Sequence, residues 1–575
     1  MFHLRGLATY RGGVIVSLVL VIFVLTTSVG RCETTACPKE DDGWSDAEKE
    51  VYKTFCADRS YGRLGLRLTE TRYDVSAKFI VELLTNDAYR KSGSRGFRLS
   101  SIRSVEPIDL RHLKTAESIA FVNSELLGGV NLSSAVIDGD LSFLDSKLGP
   151  VVLTHAIVKG SVLLGQAPDQ DPSPEKNRGG LIVFGVDAEG AQIESDMTIE
   201  GVDLFEGIDF EMSHIKGVFS VVRSVVPKID LTSAIVDNQL IIVDDDVGAD
   251  QNYSAVDETR NQTRTYQQPD IALGLFLVRA GQSVFLDGSN FRKPILASGA
   301  VIQSNLTLAG THLGSLIADG MDLKGEFIMG YNDKAAVPGY HGESPVTGWN
   351  EGSELDLRGA TIGGVFAPEL PGAWPTTIHL ANFHVTSFTP AYCWSNASFP
   401  VIANATCPPH DATWFKRWLA LDPEDENILQ PYQIVIDILN ARGDKEEASY
   451  VGFARGDKAL WAAFSFPFFR FAFLGAYRFM VGYGYYPEWS VRWIIGLTTA
   501  GALVYSKFVD PKEKIGATGL CYSFDMLIPI VKLDERNGKV ELTGPAKYYF
   551  YILKLVGWML GSFLLAAVAG LNPLK

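Results

Sequence analysis

From Ile119 to Leu164 the chain reads IAFVNSELLGGVNLSSAVIDGDLSFLDSKLGPVVLTHAIVKGSVLL, and the spacing of its apolar residues decides the fold. Pairs separated by one residue, Ile119/Phe121, Val130/Leu132, Leu141/Phe143, Val151/Leu153 and Val162/Leu164, follow each other at steps of 10 or 11. One-residue spacing sends both side chains to the same face of a short strand. A helix would need recurrence at three and four, which is absent. A small residue follows three places after each pair (Ala135, Ser146, Ala156), then an apolar one two places later (Ile137, Leu148, Val158), as a tight inner corner requires.

The same phase extends backward to Ile108/Leu110 and forward through Met197/Ile199, Leu240/Ile242, Val284/Leu286 and Phe327/Met329 to Leu355/Leu357. Two units close one coil of about 21 residues, and no coil buries its inner face alone. The fold expected is therefore mainly β: a parallel β-solenoid, a right-handed β-helix by expectation, over 96–388. About nine coils at the ~4.8 Å strand spacing would give a rod near ~40 Å long. Polar stretches Gly165–Gly180, Asp244–Asp270 and Gly330–Glu354 break the period and read as loops leaving the stack. Asp244, Asp245, Asp246 and Asp250 form the densest carboxylate group there. They are weak calcium candidates, since calcium takes oxygen ligands, but D-x-D-x-D-G spacing is missing and a solvated acidic turn is the plainer reading.

Outside the repeat, Arg5 and Arg11 precede an apolar run, Val14–Leu25, and small residues around Ser28–Gly30, the pattern of a signal peptide over 1–30. Residues 31–95 read as a helical N-terminal cap: Ser45 and Glu48 make a capping box, and Val75–Leu84 has helical periodicity. Local pairing would give disulfides Cys37–Cys56 and Cys393–Cys407, a scheme that leaves out Cys32 and Cys521. Residues 389–456 read as this Cys loop followed by a helical hairpin, Pro431–Leu439 and Lys445–Arg455, turning at Gly443.

The remaining 457–575 read as a membrane module. Leu460–Gly484 is crowded with aromatics but carries Arg470 and Arg478, which fits an interfacial helix with snorkelling arginines. Two transmembrane helices are expected at about 491–507 and about 550–571. Gly557 and Gly561 in the second stand at helix-packing spacing, a route to a homo-oligomer. Asp525, in an apolar stretch broken by Pro529, and Arg470 are the membrane-site candidates.

The formal charge of -16 argues against nucleic-acid binding. It divides unevenly: from Ala441 onward 16 Lys and Arg face 11 Asp and Glu, whereas the first 440 residues hold 35 against 56. No G-x-G-x-x-G in a βαβ unit, Walker loop, HExxH or G-x-S-x-G occurs, so neither a catalytic residue nor a cofactor is assigned.

Several segments, in order, resemble uncharacterised bacterial membrane proteins with degenerate pentapeptide-like repeats, some labelled membrane-associated oxidoreductases. They are Val75–Leu84, Gln430-Pro431-Tyr432, Asn440-Ala441-Arg442-Gly443, Gly482-Tyr483-Gly484 with Pro487, Tyr522-Ser523-Phe524-Asp525 with Pro529, and Gly557-Trp558. The resemblance implies architecture, a solenoid on a two-span module, and no activity. Together these readings suggest a bacterial inner-membrane protein whose solenoid lies on the periplasmic or extracellular side and binds an envelope polymer or another envelope protein. Alternatives are a carbohydrate-active β-helix enzyme, with carboxylates converging on a groove, and a channel or gating component.

Overall fold

The structure is a computed structural model. It describes residues 38–61, 72–86, 89, 96–166, 182–248, 256–257, 262–263, 270–330, 347–367, 374–390, 409–423, 429–463, 468–509, 519–528, 533, 535, 537, 540, 542 and 544–568. The signal-peptide segment, Cys32, Cys37, Cys393, Cys407 and Asp250 lie outside these.

The apolar pairs stack as the spacing requires. Phe97, Ile119, Leu141 and Val162 stand one above another in parallel register, and the column continues through Phe219, Val284 and Phe327 to Phe388. All are buried. The step is 22 residues in places and 21 in others, lengthening to 44 across the second excursion. The coil is thus about 22 residues, slightly longer than expected, and about 11 coils stack instead of nine. Eleven strands per face at ~4.8 Å make a rod of about 50 Å. The difference arises at the ends: Tyr73–Asp74 already pairs in the stack ahead of the Ala77–Thr85 helix, Gly348–Trp349 pairs within the stretch expected to be the last interruption, and Thr377–His379 extends the stack beyond it.

Each coil has four sides. In one turn these are Val130–Asn131, Val136–Ile137, Leu141–Leu144 and Lys147–Leu148. Two of the corners are left-handed backbone positions that recur every 10 or 11 residues, at Ser101, His112, Asn123, Ser134, Asp145 and His155, and further on at Gly288, Gly299, Gly310 and Gly320. After most of them comes the small residue, and Ala135, Ala156, Ser146 and Ser224 are buried as the corner demands; Ile102, Leu113 and Met321 take that place after Ser101, His112 and Gly320.

Both rod ends are covered, which protects strand edges from further pairing. At the start, α1 (Asp46–Tyr61) and α2 (Ala77–Thr85) pack Trp44 against Phe79 and Phe55 against Phe97 of the first coil. The Ser45/Glu48 box forms, and the other Glu48 oxygen accepts both the N–H and hydroxyl of Ser76, the α2 N-cap. At the far end sits a helix the sequence reading missed, α3 (Ala412–Leu419). Its Trp418 lies 5.1 Å from the Phe388 ring, and the following Leu421 carbonyl and Asp422 carboxylate accept the N–H groups of Ile378, in the Thr377–His379 strand, and of Leu380 just after it.

The hairpin follows as α4 (Gln430–Arg442) and α5 (Lys445–Ala462), with Gly443 left-handed at φ 88. Then come α6 (Phe468–Val481), α7 (Glu488–Phe508), α8 (Gly519–Leu527) and α9 (Gly544–Val568). The expected interfacial segment is therefore split: Leu460 closes α5, and the aromatic helix proper is α6. Among the described residues one helix stretch, Gly544–Ala566, is long and apolar enough to cross a membrane. The expected first span falls inside α7, whose 21 residues carry Glu488, Arg492 and Lys507, so composition does not single it out. Both helices nonetheless expose large apolar side chains, Ile495 and Leu503 on α7 and Leu555, Trp558 and Leu565 on α9.

Candidate functional site

The carboxylates at 244–246 are part of the rod, not of a loop leaving it. Asp246 and Val247 pair with Val225 and Val226 and with Asn290 and Phe291. The three side chains diverge accordingly. Asp244 occupies a left-handed corner, Asp245 points into the core, and Asp246 faces out in a bidentate ion pair with Arg292. Among the described residues no group of three His, Cys, Asp or Glu side chains is placed to hold a metal.

Asp245 belongs to a ladder of small polar side chains along one inner corner. The Ser124 N–H donates to Ser146 Oγ, Val202 N–H to Ser224 Oγ, Ser224 N–H to Asp245 Oδ1 and Asp245 N–H to Ser289 Oγ. Serine suits this column because one oxygen satisfies one buried N–H. Asp245 brings a second oxygen, Oδ2, which is buried without a partner, and burial raises its carboxyl well above the usual range. One strand away, Asp287 accepts from Thr307 Oγ1 and the Ala309 N–H, and burial pushes it up to about 6.

A second set of carboxylates went unnoticed in the sequence. Asp187, Asp209 and Asp230 lie in register on successive coils. Each accepts the N–H two residues on, as do Asp109, Asn131 and Asp356 in their coils. These are Asx turns that shape the corner, which is why the repeat carries Asp or Asn there. Burial, reinforced by Asp230 and Asp187, raises the Asp209 carboxyl. The column is thus a structural device; its residues face outward in a row instead of converging on a groove. Two open hollows of about 520 and 540 Å³ lie at the N-terminal cap, around Trp44 and Ser76 and around Lys39 and Tyr52.

In the helical foot, Gly482-Tyr483-Gly484 is a packing motif. Tyr483 is buried at φ 57 and its hydroxyl donates to Asp457, which also binds Arg478; the Arg478 guanidinium lies 5.2 Å from the Phe453 ring centre. Gly456 makes room, since a Cβ there would stand 2.3 Å from the Tyr483 ring. Arg470 is exposed on α6 beside exposed Phe468 and Phe469, away from that cluster. Asp525, near the end of α8, accepts from the Leu533 N–H and Asn537 Nδ2, both at 2.7 Å. The structure therefore does not bring Asp525 and Arg470 together. Cys56 is disulfide-bonded. Gly557 is taken up within the chain: an added Cβ would stand 1.7 Å from the Leu527 carbonyl oxygen, whereas Gly561 has open space around it.

What the fold and these sites define is a capped parallel β-solenoid joined to a helical foot with one membrane-length apolar helix. No family model, curated protein or solved structure matches the chain.

Proposed function

We propose that the protein is a membrane-anchored, exported β-solenoid that works as a binding or scaffolding element of the cell envelope. The observation that carries this reading is the pairing of a rod filled by its own side chains with a foot whose long helices turn Leu555, Trp558, Leu565, Ile495 and Leu503 outward. Exposed apolar surface of that extent marks a membrane or a partner, and a closed coil offers its outer faces and excursions for recognition. In this reading the signal-peptide pattern over 1–30 carries the rod out of the cytosol. The carbohydrate-active alternative is weakened because the aligned carboxylates are engaged in corner turns. Self-association, if it uses the last helix, runs through Gly561 and not Gly557.

The excursion after Gly248 is the first place to test partner binding. Because Asp244–Gly248 belongs to a coil, the deletion is best confined to 249–269. Crosslinking in cells should then lose the partner while the melting temperature of the rod is kept. An unchanged set of crosslinked partners would count against that excursion as the binding face.

A further inference from the structure

The α7, α8 and α9 helices turn apolar side chains outward and bury a strip of hydroxyls within an otherwise apolar core. Thr498, Gly501 and Tyr505 stand at i, i+3 and i+7 on α7, one face of the helix. That face meets α8: a Cβ on Gly501 would lie 1.9 Å from Ser523 Oγ, and the Tyr505 and Tyr522 rings are 4.6 Å apart. At this contact, on α9 and beside Asp525, Thr498 Oγ1, Tyr505 OH, Ser523 Oγ, the Tyr549 hydroxyl and Asn537 Oδ1 are all buried without a hydrogen-bond partner among the described residues. Among the described residues another such group, Trp414 Nε1, Trp418 Nε1 and Arg442 Nη1, lies at the far end of the rod and consists of donors alone. Lipid cannot satisfy the set in the foot, and an unpaired buried polar group costs about 1–3 kcal/mol. Four of the five are hydroxyls, which both donate and accept. Water is the small molecule that matches a set of this kind.

We propose that the α7–α8 seam is a hydrated vestibule inside the membrane foot, and that Asp525 makes it attract cations. Asp525 stands two residues beyond Ser523, on the other side of α8, and its carboxylate is tied to Asn537, whose own Oδ1 is one of the orphaned acceptors. The proposal rests on the reading that this foot sits in a bilayer.

The test uses the full chain in its native membrane with Cys521→Ser as background. Ser523→Cys, or Thr498→Cys if the former does not reach the membrane, is treated with cationic and anionic methanethiosulfonates, and labelling at that residue is read by mass spectrometry. Leu503→Cys, on the outward face, serves as the lipid-facing control. The cationic reagent should label the seam position about tenfold faster than the anionic one. Adding Asp525→Asn should abolish that preference, while Leu503→Cys stays slow with both. A seam position as unreactive as Leu503→Cys, or one that labels equally with both reagents while Asp525 is present, would overturn the vestibule. Rapid aqueous labelling of Leu503→Cys would instead overturn the anchoring itself, and the seam with it.

Discussion

Asp287 and Asp245 are carboxylates buried inside the rod, and both leave a signature in stability. The folded-state value of about 6 for Asp287 lies above that of an unfolded aspartate. Its contribution is therefore full in acid and lost as pH rises through about 6; two units correspond to roughly 3 kcal/mol at most. Asp287→Asn should raise the melting temperature at pH 7.5 and leave it nearly unchanged at pH 4. An equal shift at both values would show that ionisation is not the cause. Asp245→Ser restores the serine ladder and removes the orphaned oxygen, and is expected to stabilise the rod by about 1–3 kcal/mol in denaturant unfolding. Glu48 has the opposite sense: burial alone would raise its carboxyl, but hydrogen bonds from Ser76 and Ser45 lower it, so its contribution is lost as pH falls. The Asp245 position was legible in principle, because a step of 21 or 22 places it in line with Ser224 and before Ser289. Read as three adjacent acids it looked like a solvated turn, since local composition carries no information on phase.

At the scale of elements, the sequence revealed what depends on periodicity and hid what depends on tertiary contact. The long strands such as Leu141–Leu144 bury an apolar pair, here Leu141 and Phe143, and announce themselves by its one-residue spacing. The fourth side, as at Lys147–Leu148, buries a single residue and was folded into the corner of its neighbour. Helix α3 had a usable signal, Asp411 followed by Trp414, Phe415, Trp418 and Leu419, yet its place at the rod end follows only from the last coil's need for a cover. The foot makes the sharpest element-level prediction. Gly557→Ala drives a Cβ into the Leu527 backbone carbonyl and should lower thermal stability in detergent by about 1–3 kcal/mol, the usual range for overpacking. Gly561→Ala, which meets open space, should be neutral for the monomer. A neutral Gly557→Ala would mean that α8 does not lie against α9.

Across the whole molecule, the net charge of -16 blends an acidic rod with a mildly basic foot. Part of the rod's acidity, Asp109, Asp187, Asp209, Asp230 and Asp356, has a structural origin in the Asx corners. The foot's outward apolar side chains account for the attachment proposed here, and the orphaned hydroxyls for water within it. Sidedness decides whether these parts make an envelope protein. Protease applied to intact spheroplasts, with tags before Asp46 and after Lys575, tests it most directly. The account predicts cleavage of the rod and loss of the first tag's signal from the membrane without lysis, while a fragment containing α9 stays in the bilayer. A rod that stays intact until the cells are broken, but is cut in the lysate, would contradict it.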